Sequence, residues 1–375
     1  MGGGRAQVVP CLSLTRPVPR PRDDELELSL FGPGFGECVL LHLGRGSWMI
    51  VDSCRDARTG RQPALERLRA MNLDPSCVDL VVGTHWHLDH VRGLAEVVAA
   101  CTEARVVLSA AMATEELLGV VGLMTQQPPS SRNVYRELRQ VVDVLLARAE
   151  GLYGVPPVAT AKAGSLLLPL GRPTVLALSP SDVEVSLSLR SFATQLLPDF
   201  EAVPAPKPNH AAVALWVQTG QLGVLLGSDL EMSSAQDRGW NSALRALGQP
   251  AVPGLCFKVP HHGSTNAHCE RVWTAVLCPR PVAVLTPFKR GNVLLPTSED
   301  LKRLRSSAGQ VYITASPRSQ GPYRPNDRLT SVMRRYVRNL REAEGVTGRV
   351  TLRAPLSGCA PEDVTMDLEA PATAA

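Results

Sequence analysis

The chain is poor in several features that would place it quickly. Aromatic residues make up only 4% of its 375 positions, and none of its nine cysteines falls in a CxxC pair. An odd cysteine total without paired spacing argues against both a disulfide framework and a zinc ribbon, and it fits a reducing compartment. No stretch holds eighteen uninterrupted apolar residues, and the first twenty-five contain Gly, Pro and Arg rather than an apolar leader. A large net charge is missing too: +4 overall is too small to announce a nucleic-acid partner. These absences lead to the expectation of a soluble, cytoplasmic protein with no membrane contact. Protein partners and oligomeric state leave no trace in the sequence.

What is present is ordinary globular stock. Apolar residues at 44% and charged residues at 20% exclude a wholly disordered, collagen-like or coiled-coil chain. The length allows two or three domains, or one large α/β enzyme with insertions. Residues 1–24 read as a flexible N-terminus and 25–353 as the folded body. Residues 354–375, rich in Pro, Ala and acids, read as a flexible tail.

Cys38 to Leu43 and Trp48 to Val51 read as a hairpin around Gly44-Arg45-Gly46, with Asp52 at the end of its second strand. Asp79 to Gly83 is a short apolar strand that delivers the chain into Thr84-His85-Trp86-His87-Leu88-Asp89-His90, after which a helix is expected from Asp89 through Val98. Residues 110–151 carry a helical pattern interrupted by Gln127-Pro128-Pro129-Ser130 and read as an insertion, either a lid or a partner contact. Further strands are expected at Ser165–Leu170, Thr174–Leu178, Ala211–Val217, Gly223–Leu226, Gly254–Val259, Pro281–Leu285 and Gln310–Thr314. Helices are expected near Ser298–Ser307 and Arg328–Ala343.

Five of the eight histidines lie in two short clusters, His85, His87 and His90, then His261-His262. At the end of a strand, His85 and His87 project to one side because the backbone alternates, while Asp89 and His90 come round at the start of the next helix. Imidazole nitrogen and carboxylate oxygen are the donors a divalent ion takes, and the spacing lets them converge. His42 and His268 stand alone and read as structural or solvent-facing.

His85-x-His87-x-Asp89-His90 resembles the signature of the metallo-β-lactamase fold superfamily, and other segments resemble it in the right order. These are Gly32-Pro33-Gly34-Phe35-Gly36-Glu37 to Ile50-Val51-Asp52-Ser53, then Leu226-Gly227-Ser228-Asp229-Leu230-Glu231, then Lys258-Val259-Pro260-His261-His262-Gly263-Ser264. The last is similar to the hydrolase domain of the bacterial competence DNA-uptake protein, and the likeness runs from Glu25 to Ser316. The resemblance implies an α/β architecture: an αββα four-layer sandwich, here with a helical insertion and a basic C-terminal extension.

It also implies a site for two divalent ions, zinc or manganese, with magnesium as a third option. Transferred residue by residue, His85 and His87 hold one ion, Asp89 and His90 the second, and Asp229 bridges. His261 completes the second set, with its neighbour His262 as the alternative. His210 is the candidate third histidine of the first set, against a plain loop histidine, and Ala212 follows it where relatives have Ser. Asp52 orients the ligand loop. Two departures stand out: Arg92-Gly93 replaces a Gly-Gly, and Leu295-Pro296 replaces a His-Pro, so no auxiliary histidine is available there.

A pair of ions about 3.5–4 Å apart sharpens a shared water into a nucleophile. Asp89 then steers its proton, and His262, if free of metal, is a candidate general acid. Ser264 and Cys54 read as structural. For substrate class, Leu301 to Arg353 holds twelve Lys or Arg against three acids. With +4 overall, that surplus of nine leaves the rest of the chain at −5. Such asymmetry fits a phosphate-containing substrate, DNA or RNA among them. The competing reading is a solvated helix face, with Leu329, Val332, Met333, Tyr336, Val337 and Leu340 packed inward. A phosphodiesterase or nuclease is therefore the expected function, against an ester, thioester or lactam hydrolase on the same fold, or a binding module without activity.

Overall fold

A computed structural model describes residues 18–32, 36–56, 58–112, 133–150, 158–196, 208–290, 293–316 and 347–375. One eight-stranded sheet has the order β16-β15-β1-β2-β3-β4-β5-β6. In chain order its members are β1 (Glu25–Gly32), β2 (Cys38–His42), β3 (Trp48–Val51), β4 (Val78–Gly83), β5 (Arg105–Ser109), β6 (Val158–Ala161), β15 (Gly348–Pro355) and β16 (Thr365–Glu369). A seven-stranded sheet has the order β17-β14-β11-β10-β9-β8-β7. It contains β7 (Thr174–Ala177), β8 (Leu215–Thr219), β9 (Leu222–Leu226), β10 (Gly254–Lys258), β11 (Leu277–Leu285), β14 (Gln310–Ile313) and β17 (Thr373–Ala374). A small hairpin, β12 (Phe288–Arg290) and β13 (Val293–Leu295), lies between β11 and β14 in sequence.

Strand alternation sorts the apolar residues into three layers of core. On β1, Leu26, Leu28 and Leu30 join Val224, Leu226, Cys256, Val282 and Val284 of the other sheet in one cluster, so the sheets pack face to face. Phe31, Leu40, Ile50 and Val81 point the opposite way. They meet α1 (Pro63–Ala70), α3 (Leu94–Ala100) and α4 (Asn133–Glu150) through Leu65, Leu68, Val97, Leu138 and Val141. On the far side, Leu225, Phe257 and Leu285 meet α6 (Gly239–Leu247), α7 (Glu270–Ala275) and α8 (Ser298–Ser307) through Trp240, Trp273 and Leu304. Two sheets between two helical layers give the αββα sandwich. Strands such as Gly254–Lys258, buried along their whole length, read as continuous apolar runs because both faces are covered.

Several local expectations need correction. The helix from Asp89 through Val98 is two pieces, α2 (Leu88–Val91) and α3. Gly93 sits between them with φ +82°, a left-handed conformation that stops the first and turns the second. Ser165–Leu170 forms only one bridge, Leu166 to Leu176, before Pro169 and Gly171 break it. The strand expected from Ala211 begins at Leu215, and Pro208–Ala211 is a 3-10 turn. The tail expected to be flexible is instead built into both sheets. Ala354 is fully buried, β16 pairs with β15 and β17 with β14, and Asp367 and Glu369 bridge to Arg349. Alternation in Thr365-Met-Asp-Leu-Glu serves an exposed edge strand, a pattern masked by its Pro- and acid-rich surroundings. A helix at Asp182–Leu196, α5, had no counterpart in the expectations.

Helix Ser298–Ser307 lies where the sequence put it. The helix expected at Arg328–Ala343 and the first part of the 110–151 insertion lie outside the described residues, whereas the insertion's second part is α4. The eight cysteines among the described residues are free thiols. Among the described residues no helix is long and apolar enough to cross a membrane.

Candidate metal centre

Parallel strands bring their C-terminal ends to one edge of the sandwich. Strand β3 ends at Asp52 beside β4, which runs into Thr84 and His85. Strand β9 ends before Ser228 and Asp229, β10 before His261 and His262, and β11 before Thr286. The chain folds into these positions at some backbone cost: Asp52, Ser228, His261 and His262 all have positive φ, from 45° to 59°. Such strain at non-glycine residues concentrates where side chains must be aimed.

The edge gathers two sets of donor atoms. In the first, His85 Nε2 lies 3.7 Å and His87 Nδ1 3.9 Å from Asp229 Oδ2, and the two nitrogens are 3.0 Å apart. In the second, Asp89 Oδ2 lies 3.5 Å from His262 Nε2 and 3.9 Å from His90 Nε2. Asp229 joins the sets, because its Oδ1 is 3.5 Å from His90 Nε2. Ligand atoms 2.0–2.2 Å from a tetrahedral ion stand roughly 3.3–3.6 Å from one another; the His262–Asp89 and His90–Asp229 separations fall in that range, with the His85–His87 pair closer and the others slightly wider.

Unpartnered atoms make the same point. His90 Nε2, Asp229 Oδ1 and His262 Nε2 are buried and have no hydrogen-bond partner. Each such atom costs about 1–3 kcal/mol unless something satisfies it, and His90 groups with His85 and Asp229, and again with Asp89 and His262, in geometry able to hold a cation. The charges agree. Glu37, Asp52, Asp89 and Asp229 crowd this edge with one buried ammonium, Lys258, among them. The residues present therefore fit bound divalent metal.

The histidines are held in the tautomer that a cation needs. Asp52 accepts from Thr84 N at 2.7 Å and from Thr84 Oγ1 at 2.7 Å, and His90 Nδ1 lies 2.7 Å from its Oδ2. A carboxylate only accepts, so His90 keeps a proton on Nδ1, and the neutral ring leaves Nε2 bare. Thr84 Oγ1, its hydrogen spent on Asp52, can only accept from His85 Nδ1 at 3.0 Å, which frees His85 Nε2 as well. Asp52 thus orients two ligands, one directly and one through a hydroxyl.

Electrostatics sharpen the picture. Burial pushes His87 down to about 3, helped by His85 beside it, so its ring stays neutral. Burial opposes the charge on His90, yet Asp229 and Asp52 hold it well above the usual imidazole range. Burial likewise opposes ionisation of Asp89 and Asp229, but His262 against the first and His90 against the second keep both carboxyls below the ordinary range.

The two adjacent late histidines part company. His262 is buried, stacked on Phe288 with ring centroids 5.0 Å apart, and aimed at Asp89. His261, expected to complete the second set, turns outward: its Nδ1 lies 3.4 Å from Glu231 Oε1 and 3.1 Å from Asn266 Oδ1. The left-handed backbone at both residues sends their side chains in different directions. His210 also stays apart, half-buried and with no hydrogen bond or ion pair to the described residues. The 3-10 turn buries Asn209 instead, which donates to Glu231 Oε1 at 2.7 Å. His42 is structural: it is buried with Nδ1 2.9 Å from Glu25 O. His268 pairs with Glu270.

Glu37, Thr84, Lys258 and Thr286 were not singled out from the sequence. Gly36 shows how closely the first of them is wedged in. A Cβ there would fall 1.6 Å from Asp89 O, and Glu37 N donates to that same oxygen at 2.9 Å. A lysine closing the apolar strand Gly-Leu-Cys-Phe-Lys was the available signal, since a buried lysine demands a partner.

A family model described as the Metallo-beta-lactamase superfamily matches residues 31–269. No curated protein matches. Among solved structures, the metallo-beta-lactamase SMB-1 bound to 2-mercaptoethanesulfonate is 18% identical, with 64% of this chain and 76% of that one covered and a TM-score of 0.31. The metallo-beta-lactamase fold protein YhfI from Bacillus subtilis is 11% identical, with 77% and 96% covered and a TM-score of 0.39.

Proposed function

This chain belongs to the metallo-beta-lactamase superfamily, and from that premise we propose that it is a dinuclear metal-dependent hydrolase that cleaves phosphodiesters. The supporting observation is the convergence of bare His90 Nε2, Asp229 Oδ1 and His262 Nε2 among the two donor sets. His85, His87 and Asp229 would hold one ion, and Asp89, His90, His262 and Asp229 the other. When bound, the pair supplies an activated water and polarises the electrophile and leaving oxygen.

The protein's own groups do the rest. Asp89, a fifth exposed at its side chain, reaches the substrate side of the edge and accepts a proton from the attacking water. Asp52 holds His85 and His90 still through the displacement. His261, braced by Glu231 and Asn266, stands beside the site as a contact for substrate oxygen in place of its expected ligand role. Asn209 packs against the same glutamate.

Phosphodiester rather than acyl chemistry is supported by the Lys258-Val-Pro-His-His-Gly-Ser264 element, with its likeness to the competence hydrolase domain. The basic C-terminal region contributes less than its composition suggests. Arg303 is bound to Asp300 and Gly263 O, Arg349 to Asp367 and Glu369, and Arg353 to Glu27. Arg318, Arg324, Arg328, Arg334, Arg335, Arg338 and Arg341 lie outside the described residues.

The experiment is a substrate panel. Bis-p-nitrophenyl phosphate, single-stranded DNA, a short RNA and nitrocefin are incubated with protein carrying quantified zinc or manganese, with and without chelator. Turnover of a phosphodiester that chelation abolishes is expected. Turnover of nitrocefin alone would replace phosphoryl with acyl chemistry.

A further inference from the structure

Behind His262 lies a line of polar groups that no substrate can touch. Lys258 is 1% exposed, donates to Ser228 O at 3.1 Å and is ion-paired with Glu37 Oε1. The other oxygen of Glu37, itself 2% exposed, accepts from Thr286 Oγ1 at 2.6 Å. His262 Nδ1 stands 3.1 Å from that hydroxyl oxygen and 3.2 Å from Thr286 O. Phe288 covers the face of the ring.

Counting hydrogens along this line gives a single answer. Glu37, salt-bridged to Lys258, is a carboxylate and only accepts, so the Thr286 hydroxyl spends its one hydrogen on it. Both groups facing His262 Nδ1, the Thr286 hydroxyl oxygen and carbonyl, are then acceptors. A neutral ring must then carry its proton on Nδ1, and its lone pair falls on Nε2, the buried atom without a partner beside Asp89. Were Glu37 neutral or absent, the hydroxyl could turn its hydrogen toward Nδ1 and stabilise the opposite tautomer, which puts N–H where a cation has to bind. The arrangement repeats Asp52–Thr84–His85 on the other sheet, with a buried ammonium added to hold the carboxylate charged.

We infer that Glu37, kept ionised by Lys258 and acting through Thr286, is a positioning residue that fixes the tautomer and tilt of His262 and so sets the affinity of the ion site shared by His262 and Asp89. This rests on the metal-centre reading above. Burying an ion pair is a poor route to stability, since well-packed apolar residues do as well or better. Its place behind one ligand gives it a purpose that packing alone does not.

The test uses zinc titrated against a chromophoric chelator, with the thermal midpoint of the metal-free protein recorded in parallel. Thr286→Val keeps the shape and deletes the hydroxyl. Glu37→Gln/Lys258→Met removes both charges together, so neither variant leaves a lone buried charge. Each is expected to weaken zinc binding at the site of His262 and Asp89 10–100-fold, leave the site of His85 and His87 within a factor of three, and leave the midpoint near wild type. Nitrogen-15 histidine spectra supply a readout that needs no ion: the His262 signal, assigned by its loss in His262→Asn, is expected as the Nδ1-protonated form in wild type and as a tautomer mixture in both variants. Unchanged affinities and an unchanged tautomer overturn the inference. So does an equal loss at both sites with a lowered midpoint, which marks a merely structural pair. A wild-type protein that takes up no zinc, with His262 still in the Nδ1 form, removes the metal centre while leaving the tautomer device standing.

Discussion

His90 Nδ1 stands 2.7 Å from Asp52 Oδ2, with both side chains buried. Asp52 has three donors on its two oxygens, the other two being Thr84 N and Thr84 Oγ1, so an amide in its place must turn its NH2 toward a donor. Asparagine tolerates the left-handed φ of 59° at this position, which leaves backbone strain unchanged. Asp52→Asn is expected to weaken ion affinity 10–100-fold, read by chelator competition.

Among the described residues, Asp229 alone has two oxygens that serve both donor sets, Oδ2 toward His85 and His87 and Oδ1 toward His90. Asp229→Ala is expected to abolish ion occupancy at both sites together with turnover, read by elemental analysis after dialysis and by the phosphodiester assay. Normal activity in this variant would remove the dinuclear account.

At Gly36 the backbone leaves no room for a side chain, since φ is +103° and Asp89 O occupies the Cβ position. Left-handed backbone alone costs an L-residue about 1–2 kcal/mol, and the collision forces Asp89 to move as well. Gly36→Ala is expected to lower both the urea midpoint and the affinity of the ion beside Asp89. Gly46 is also left-handed but has nothing within 4 Å, so Gly46→Ala should show the smaller stability loss and no change in ion binding.

Glu27 is fully buried between Arg67 and Arg353, accepting from both, and Ser29 Oγ donates to it at 3.0 Å. Removing the anion strands two guanidinium groups. Glu27→Ala is expected to cost about 3–5 kcal/mol in urea unfolding, with ion uptake by the folded fraction unchanged because none of these bonds reaches a ligand residue.

Acid sensitivity has an identifiable contributor in Asp300. Burial opposes its charge, but Thr297 N, Thr297 Oγ1, Arg303 and Thr265 all donate to it and hold the carboxyl below its ordinary 3.8. A depressed folded value means the contribution is complete above 3.8 and is lost as pH falls through the lower folded value. Asp300→Asn is therefore expected to be less stable than wild type at pH 7 and to lose less on going from pH 4 to pH 2, measured by urea unfolding at each pH.

Much of the centre was legible because its residues are close in sequence. His85, His87, Asp89 and His90 declare themselves by spacing after an apolar strand, and Asp229 through the resemblance of its segment to the family's metal-bridging aspartate. Adjacent residues defeat that logic. Which of His261 and His262 faces inward depends on two left-handed φ angles and on Thr286 and Phe288, more than twenty residues away, waiting beneath one of them. Glu37, just before β2, and Lys258, closing β10, escaped because each is a lone charge in sequence until its partner from the other sheet is seen. The C-terminal strands were hidden in the same way: β15 pairs along its whole length with β1, more than three hundred residues earlier.

Anomalous diffraction from crystals soaked in zinc, collected on both sides of the zinc edge, tests the centre most directly. The account predicts two peaks at the sheet edge, one among His85, His87 and Asp229 and one among Asp89, His90, His262 and Asp229, with His261 coordinating neither. No peak at this edge, or a peak ligated by His261 with His262 left buried and unligated, would contradict it.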